Sequence, residues 1–298
     1  MDERMEVTPL AFDSFGARSM ATFVETDDVS ILIDPGVALG PSRHRLPPHP
    51  LEIERELELW QGIKDHAARA DVLVVSHYHY DHHNPEEPML YGDKILYIKH
   101  PGENINKSQT RRAAYFLKKL KDIPKSIKTA DGSEFVHGNT LIRFSDAVCH
   151  GTNPRLGYVV QTSIECGGEK FIHTSDVEGP AMPDQIRFVI EEQPDVVILD
   201  GPMTYMLGFR YSKKSLELSI ENMIRIITET PAHTIVPDHH FMRDLRYRER
   251  IAPVYEAADD AGKRVLTAAE YAGRDIENFE ARRRELYSIH PIAYRSSL

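Results

Sequence analysis

The chain has 298 residues, 41% hydrophobic and 28% charged, with net charge −10, which gives enough apolar material for a sizeable core and one to two domains. Its longest strongly apolar runs, residues 72–75 and 196–199, fall far below the ~18 residues a membrane-spanning helix needs. Two cysteines, Cys149 and Cys166, exclude a disulfide framework and a four-thiolate zinc site.

Short β-branched runs bounded by Gly, Pro, Asp or Asn predict strands at 20–26, 30–33, 72–76, 95–98, 141–148, 157–162, 170–174, 196–200 and 234–238. The stretch Cys166-Gly167-Gly168-Glu169 reads as a hairpin turn. Helical spacing appears at Ile53, Leu57, Trp60, Ile63 and Ala67, then at Ala113, Phe116, Leu117 and Leu120. It recurs at Leu216, Ile220, Met223 and Ile227, and at Ile276, Phe279 and Leu286. Sheets layered with helices follow from this alternation, in a single domain over 1–298. Helical insertions are expected near 41–70 and 103–128, and a helical tail after Ile251. The opening MDERMEVTPL has no apolar run behind it, so no secretory leader is expected. The thiols then read as small buried groups in a reducing compartment, which makes the cytoplasm the expected location. Whether they pair stays open, as does the oligomeric state.

The chemistry concentrates in ADVLVVSHYHYDHHNP. An apolar strand ends at Ser76, and His77, His79, Asp81, His82 and His83 follow within seven residues. In extended chain His77, His79 and Asp81 project to one side. Imidazole with carboxylate suits zinc, iron or manganese.

HYHYDH at 77–82 fits the HxHxDH signature of the metallo-β-lactamase superfamily, which the chain resembles from about Phe15 to His240. ILIDPG at 31–36 resembles that family's first motif, and His150 lies before LGYVVQT as the third-motif His does. KFIHTSD sets Asp176 at a strand end, and TIVPDHH matches the final Pro-x-His at Pro237 and His239. NKSQTRRA and DHHFMRDLRY are similar to an archaeal group of that family, predicted to be metal-dependent hydrolases.

The resemblance implies an α+β fold, a four-layer αββα sandwich. It implies one divalent metal on His77, His79 and His150, a second on Asp81, His82 and His239, and Asp176 bridging them. Zinc is the first expectation, with manganese or iron as alternatives. Such a pair holds a hydroxide nucleophile, with Asp81 and Asp176 able to help move the proton. Asp34 is expected behind the ligands, orienting them. Extended chain turns neighbours opposite ways, so His83 and His240 are expected off the metals, with His240 kept open as a replacement for His239 or a substrate contact.

Residues 99–128 carry nine basic against two acidic side chains. Arg243 and Arg246 follow the last histidines, and guanidinium pairs bidentately with phosphate. The reading is a metal-dependent hydrolase of a small phosphodiester or short nucleic acid; the negative remainder of the chain disfavours long duplexes. The alternative is a lactone, ester or thioester hydrolase with an apolar pocket of Trp60, Tyr205, Met206 and Phe209. A non-hydrolytic metal-binding or di-iron protein is the third. No membrane partner is expected.

Overall fold

The computed structural model describes residues 4–291 as two mixed sheets flanked by helices. The first sheet follows chain order: β1 (Met5–Phe12), β2 (Met20–Thr26), β3 (Ser30–Ile33), β4 (Val72–Val75), β5 (Ile95–Ile98) and β6 (Ser126–Thr129). β1 to β3 pair antiparallel, whereas β3 to β6 run parallel. Parallel neighbours need a crossover. α1 (Pro50–Arg69) supplies it between β3 and β4, and α2 (Lys107–Lys119) between β5 and β6. The helical segments expected as insertions are thus the sheet's own connections. α1 opens on a capping box: His49 N–H donates to Glu52 Oε1 and the His49 ring accepts from Leu51 N–H, with Pro50 preset for the first turn.

β7 (Glu134–His137) and β8 (Thr140–Phe144) begin the second sheet, while β9 (Val148–Cys149) and β10 (Tyr158–Val159) pair separately. β11 (Thr162–Cys166) and β12 (Glu169–His173) form the expected hairpin, its Gly167 and Gly168 both at positive φ. β13 (Val196–Asp200), β14 (Thr234–Asp238) and β15 (Arg264–Val265) extend it in parallel, giving the order β15-β14-β13-β12-β11-β8-β7. The remaining helices are α3 (Pro183–Glu192), α4 (Lys213–Glu229), α5 (Tyr247–Arg250), α6 (Ala252–Asp260), α7 (Ala268–Tyr271) and α8 (Phe279–Ile289). The tail after Ile251 is therefore not purely helical, because β15 adds an edge strand to the sheet.

Side-chain alternation sorts the second sheet into two faces. Phe171, Ile198 and Val236 join the core shared with the first sheet, α1 and α2. Ile172, Val197, Leu199 and Ile235 join the outer core with Ile186, Met223 and Val254 from α3, α4 and α6. The result is the four-layer sandwich. No helix among the described residues is long and apolar enough to cross a membrane, and Cys149 and Cys166 are free thiols.

α8 closes over α1 through a fully buried ion pair. Arg283 Nε and Nη2 donate to the two Glu52 oxygens at 2.7 and 2.6 Å, and its remaining N–H groups reach the Leu46 and Gly40 carbonyls. Glu52→Ala leaves that guanidinium buried without its counter-charge, which costs about 3–5 kcal/mol. Urea unfolding measures this; a midpoint equal to wild type would contradict the assigned role.

Candidate metal centre

Strand ends deliver the site. Asp34 follows β3, His77 follows β4, His150 follows β9, Asp176 follows β12, and His239 follows β14. After His77 the chain does not stay extended. The His82 N–H donates to the His79 carbonyl at 3.0 Å, and this turn brings His82 back beside His77. ILIDPG can sit against the turn only because Gly36 lacks a side chain: a Cβ there would lie 2.4 Å from the His83 nitrogen.

The structure brings two sets together. The ligand atoms of His77, His79, His150 and Asp176 all lie within 4.8 Å of one another, as do those of Asp81, His82 and His239. Asp176 stands between them. Its Oδ2 is 3.1 Å from His150 Nε2 and 3.5 Å from His77 Nε2. Its Oδ1 is 2.9 Å from His82 Nε2 and 3.2 Å from His239 Nε2.

These residues fit a cation. His77 Nε2 is buried without a hydrogen-bond partner, and His82 Nε2 and Asp176 Oδ1, 2.9 Å apart, converge with it on the same buried space. Asp34 Oδ2 takes the Nδ1 side of His82 at 2.8 Å and also accepts from Ser76 Oγ at 2.6 Å. With its Nδ1 proton there, His82 presents Nε2 to the centre, as the expected orienting role requires. Without metal, protons provide the positive charge. Burial opposes a charged His82, but the Asp176 and Asp34 carboxylates outweigh it and hold its pKa at about 10. Burial keeps His77 neutral, lowering it to about 4. Burial alone would raise Asp176, yet the His82 and His239 rings beside it hold it well below the usual carboxylate range.

At neutral pH His82 must therefore give up a proton before Nε2 can donate to a metal. Zinc uptake should release protons, and affinity should rise as pH climbs toward about 10. Calorimetry in buffers of different ionisation enthalpy reads this directly. Uptake without proton release would contradict the assigned His82 environment.

The beta-lactamase superfamily domain model matches residues 30–240, most of the chain. The chain belongs to the metallo-β-lactamase superfamily. It is 51% identical over 289 residues to the UPF0282 protein of Korarchaeum cryptofilum, covering 97% of this chain and 96% of that one. With the UPF0282 protein of Sulfurisphaera tokodaii the identity is 46%, over 95% and 93% of the two chains. Among solved structures, the metallo-β-lactamase fold protein YhfI from Bacillus subtilis superposes with a TM-score of 0.51 at 16% identity, covering 90% of this chain and 96% of that one. The isothiocyanate hydrolase from Delia radicum gut bacteria gives 0.53 at 16%, covering 89% and 95%. At these identities the two structures show the fold.

Two residues that shape this metallo-β-lactamase centre lie outside the matched segment. His239 Nδ1 meets Asp13 Oδ2 at 2.7 Å, and Arg243 Nε donates to Asp13 Oδ1 at 2.6 Å, all three being buried. Asp13 is thus to His239 what Asp34 is to His82. Sequence reading missed it because the contact spans 226 residues and no local pattern marks it. Asp200 was missed as well, though VVILDG at 196–201 repeats the strand-Asp-turn pattern of ILIDPG. It accepts the His240 N–H at 3.1 Å, and its Oδ2 lies 3.0 Å from His240 Nδ1.

Neither histidine pair lies in extended chain, but the expectation drawn from it fails only at the second pair. His239 sits at φ 58, so His239 and His240 both face inward, and His240 joins Asp176 and His239 in a further candidate group. His83 packs against Phe116 and Tyr78, away from both sets, with Nδ1 at the His79 carbonyl. Arg246 is corrected outright: its Nε donates to Glu249 at the surface, and it does not line the cleft.

The centre opens into a cleft of about 910 Å³. Of the basic residues in 99–128, Arg112 alone lines it; Lys99, for example, is buried against Asp131. Tyr205, Met206 and Phe209 form part of the wall as expected, but Trp60 does not. Its indole N–H donates to Glu87 on the exposed side of α1. Glu178 also enters the cleft, where burial raises its carboxyl above the usual range.

Proposed function

We propose that the chain is a metal-dependent hydrolase of a small phosphodiester, with two divalent ions, zinc foremost, as its cofactor. The observation that carries this reading is the division of the Asp176 carboxylate, one oxygen to each ligand set. His77, His79 and His150 would hold one ion, and Asp81, His82 and His239 the other. When bound, such a pair supplies an activated water near neutral pH and Lewis-acid stabilisation of developing negative charge. The chain's own part is orientation. Asp34 and Asp13 hold the Nδ1 sides of His82 and His239, so that both rings turn Nε2 toward Asp176.

A second reading, lactone or ester hydrolysis, draws on the apolar wall of Tyr205, Met206 and Phe209. One experiment separates them: turnover of a chromogenic phosphodiester and a chromogenic lactone by zinc-, manganese- and iron-loaded protein, with Asp81→Ala as control. Phosphodiester cleavage lost in Asp81→Ala is expected. Lactone cleavage alone would favour the second reading, and no turnover of either by fully loaded protein would contradict both.

A further inference from the structure

Among the described residues five arginines line the cleft, and they divide into two kinds. Arg18 and Arg243 are already engaged, Arg18 with both Glu280 oxygens at 2.6 Å and Arg243 with Asp13. Arg112, Arg155 and Arg210 have no carboxylate partner among the described residues. They come from three separate segments: α2, the 153–157 turn and the 207–211 turn. A cation left unpaired at a cleft wall keeps its charge available to an anionic ligand, whereas Arg18 and Arg243 are neutralised by their own acids.

Each of these three arginines, Arg112 with its Nη1 also at the Tyr78 carbonyl at 3.4 Å, stands beside an exposed side chain that also lines the cleft. Arg112 lies 4.6 Å over the ring of Tyr80, which is 46% exposed. Arg155 adjoins Leu156, and Arg210 lies 5.8 Å from the ring of Phe209, which is 81% exposed. Two of these couples share one support. Asn106 Nδ2 donates to the Arg155 carbonyl at 2.7 Å, and Gln109 Nε2 donates to the Leu156 carbonyl, which pins the 153–157 turn to the start of α2. The same Gln109 accepts the Tyr78 N–H at 3.2 Å, so this support is continuous with the histidine loop.

We propose that the cleft binds a single-stranded nucleic acid, with Arg112, Arg155 and Arg210 taking successive phosphates and Tyr80 and Phe209 taking base faces. Repeated positive charge interleaved with flat apolar surface is the pattern that holds a single strand without reading its sequence. A lactone or a simple ester offers no repeated charge to three separate arginines. Net charge −10 on the chain as a whole opposes the broad phosphate contact a long duplex requires. The proposal rests on the phosphodiester reading for its chemistry, but its test needs no turnover.

The test is fluorescence anisotropy of a labelled phosphorothioate oligothymidylate with the zinc-loaded full chain over a potassium chloride series. Arg112→Gln, Arg155→Gln and Arg210→Gln should each weaken binding and flatten the log affinity against log salt slope by about 0.7. Phe209→Ala should weaken binding about tenfold at an unchanged slope, the loss of one stacked base. Lys118→Gln, on α2 but outside the cleft, should change nothing. Three unaltered slopes, or equal affinity for a duplex of the same length, would overturn the proposal. Phosphodiester turnover with no oligonucleotide binding removes this inference and leaves the hydrolase. Arginine-dependent binding with no turnover does the reverse.

Discussion

Asp13→Asn is expected to weaken metal binding by about 10–100-fold while Asp34 and every proposed ligand stay in place. The reason is the protonation pattern of His239. The Asp13 carboxylate accepts from both neighbours, taking His239 Nδ1 on one oxygen and Arg243 Nε on the other. An amide has one acceptor and one donor end. If its NH2 faces His239, Nδ1 must accept, the proton moves to Nε2, and that atom can no longer donate to a metal. If its NH2 faces Arg243, two donors meet in a buried site. Asp13→Ala goes further and strands the buried guanidinium, at a cost of about 3–5 kcal/mol. Zinc affinity by chelator competition and urea unfolding read the two effects separately. Wild-type affinity in both variants would remove Asp13 from the centre.

The second large effect belongs to Asp176→Asn. Each carboxylate oxygen faces a different histidine set, His77 and His150 on one side and His82 and His239 on the other. The amide keeps one oxygen, so it can serve one set only, and its NH2 has no lone pair to offer the other. Metal content should fall from two ions per chain to one, with phosphodiester turnover at background. The favourable field of Asp176 on His82 also disappears, so its proton is held less tightly and proton release on metal uptake should shrink. Elemental analysis of the dialysed variant gives the count; two ions per chain would contradict the bridging role.

What the sequence revealed, and what it hid, follows from the range of the interactions involved. β2, β3, β5, β13 and β14 lie where their β-branched runs predict, because these strands are buried and their pattern is local. β1 escaped: it is an edge strand carrying Pro9 beside a register shift, and proline inside a run argues against a strand. β6 and β7 are the opposite edges of the two sheets, largely exposed, and lack an apolar core face to read. The proposed ligands were legible because a strand end fixes where a side chain leaves the sheet. Side-chain direction beyond the strand was not. The turn at His82 and the positive φ of His239 break the period of two that excluded His240. Asp13 reaches His239 from a turn tied to the end of β14, where Asp238 Oδ1 accepts the Ser14 N–H at 3.1 Å, and to α7, where Ser14 Oγ accepts the Ala269 N–H. No pattern within a window of residues carries that contact.

The central claim is a pair of metal ions straddling Asp176. Anomalous scattering at the zinc edge from crystals of zinc-loaded protein tests it most directly. The account predicts two peaks about 3.5–4 Å apart, one among His77, His79 and His150 and one among Asp81, His82 and His239, with Asp176 between them. A single peak, or peaks away from Asp176, would contradict it.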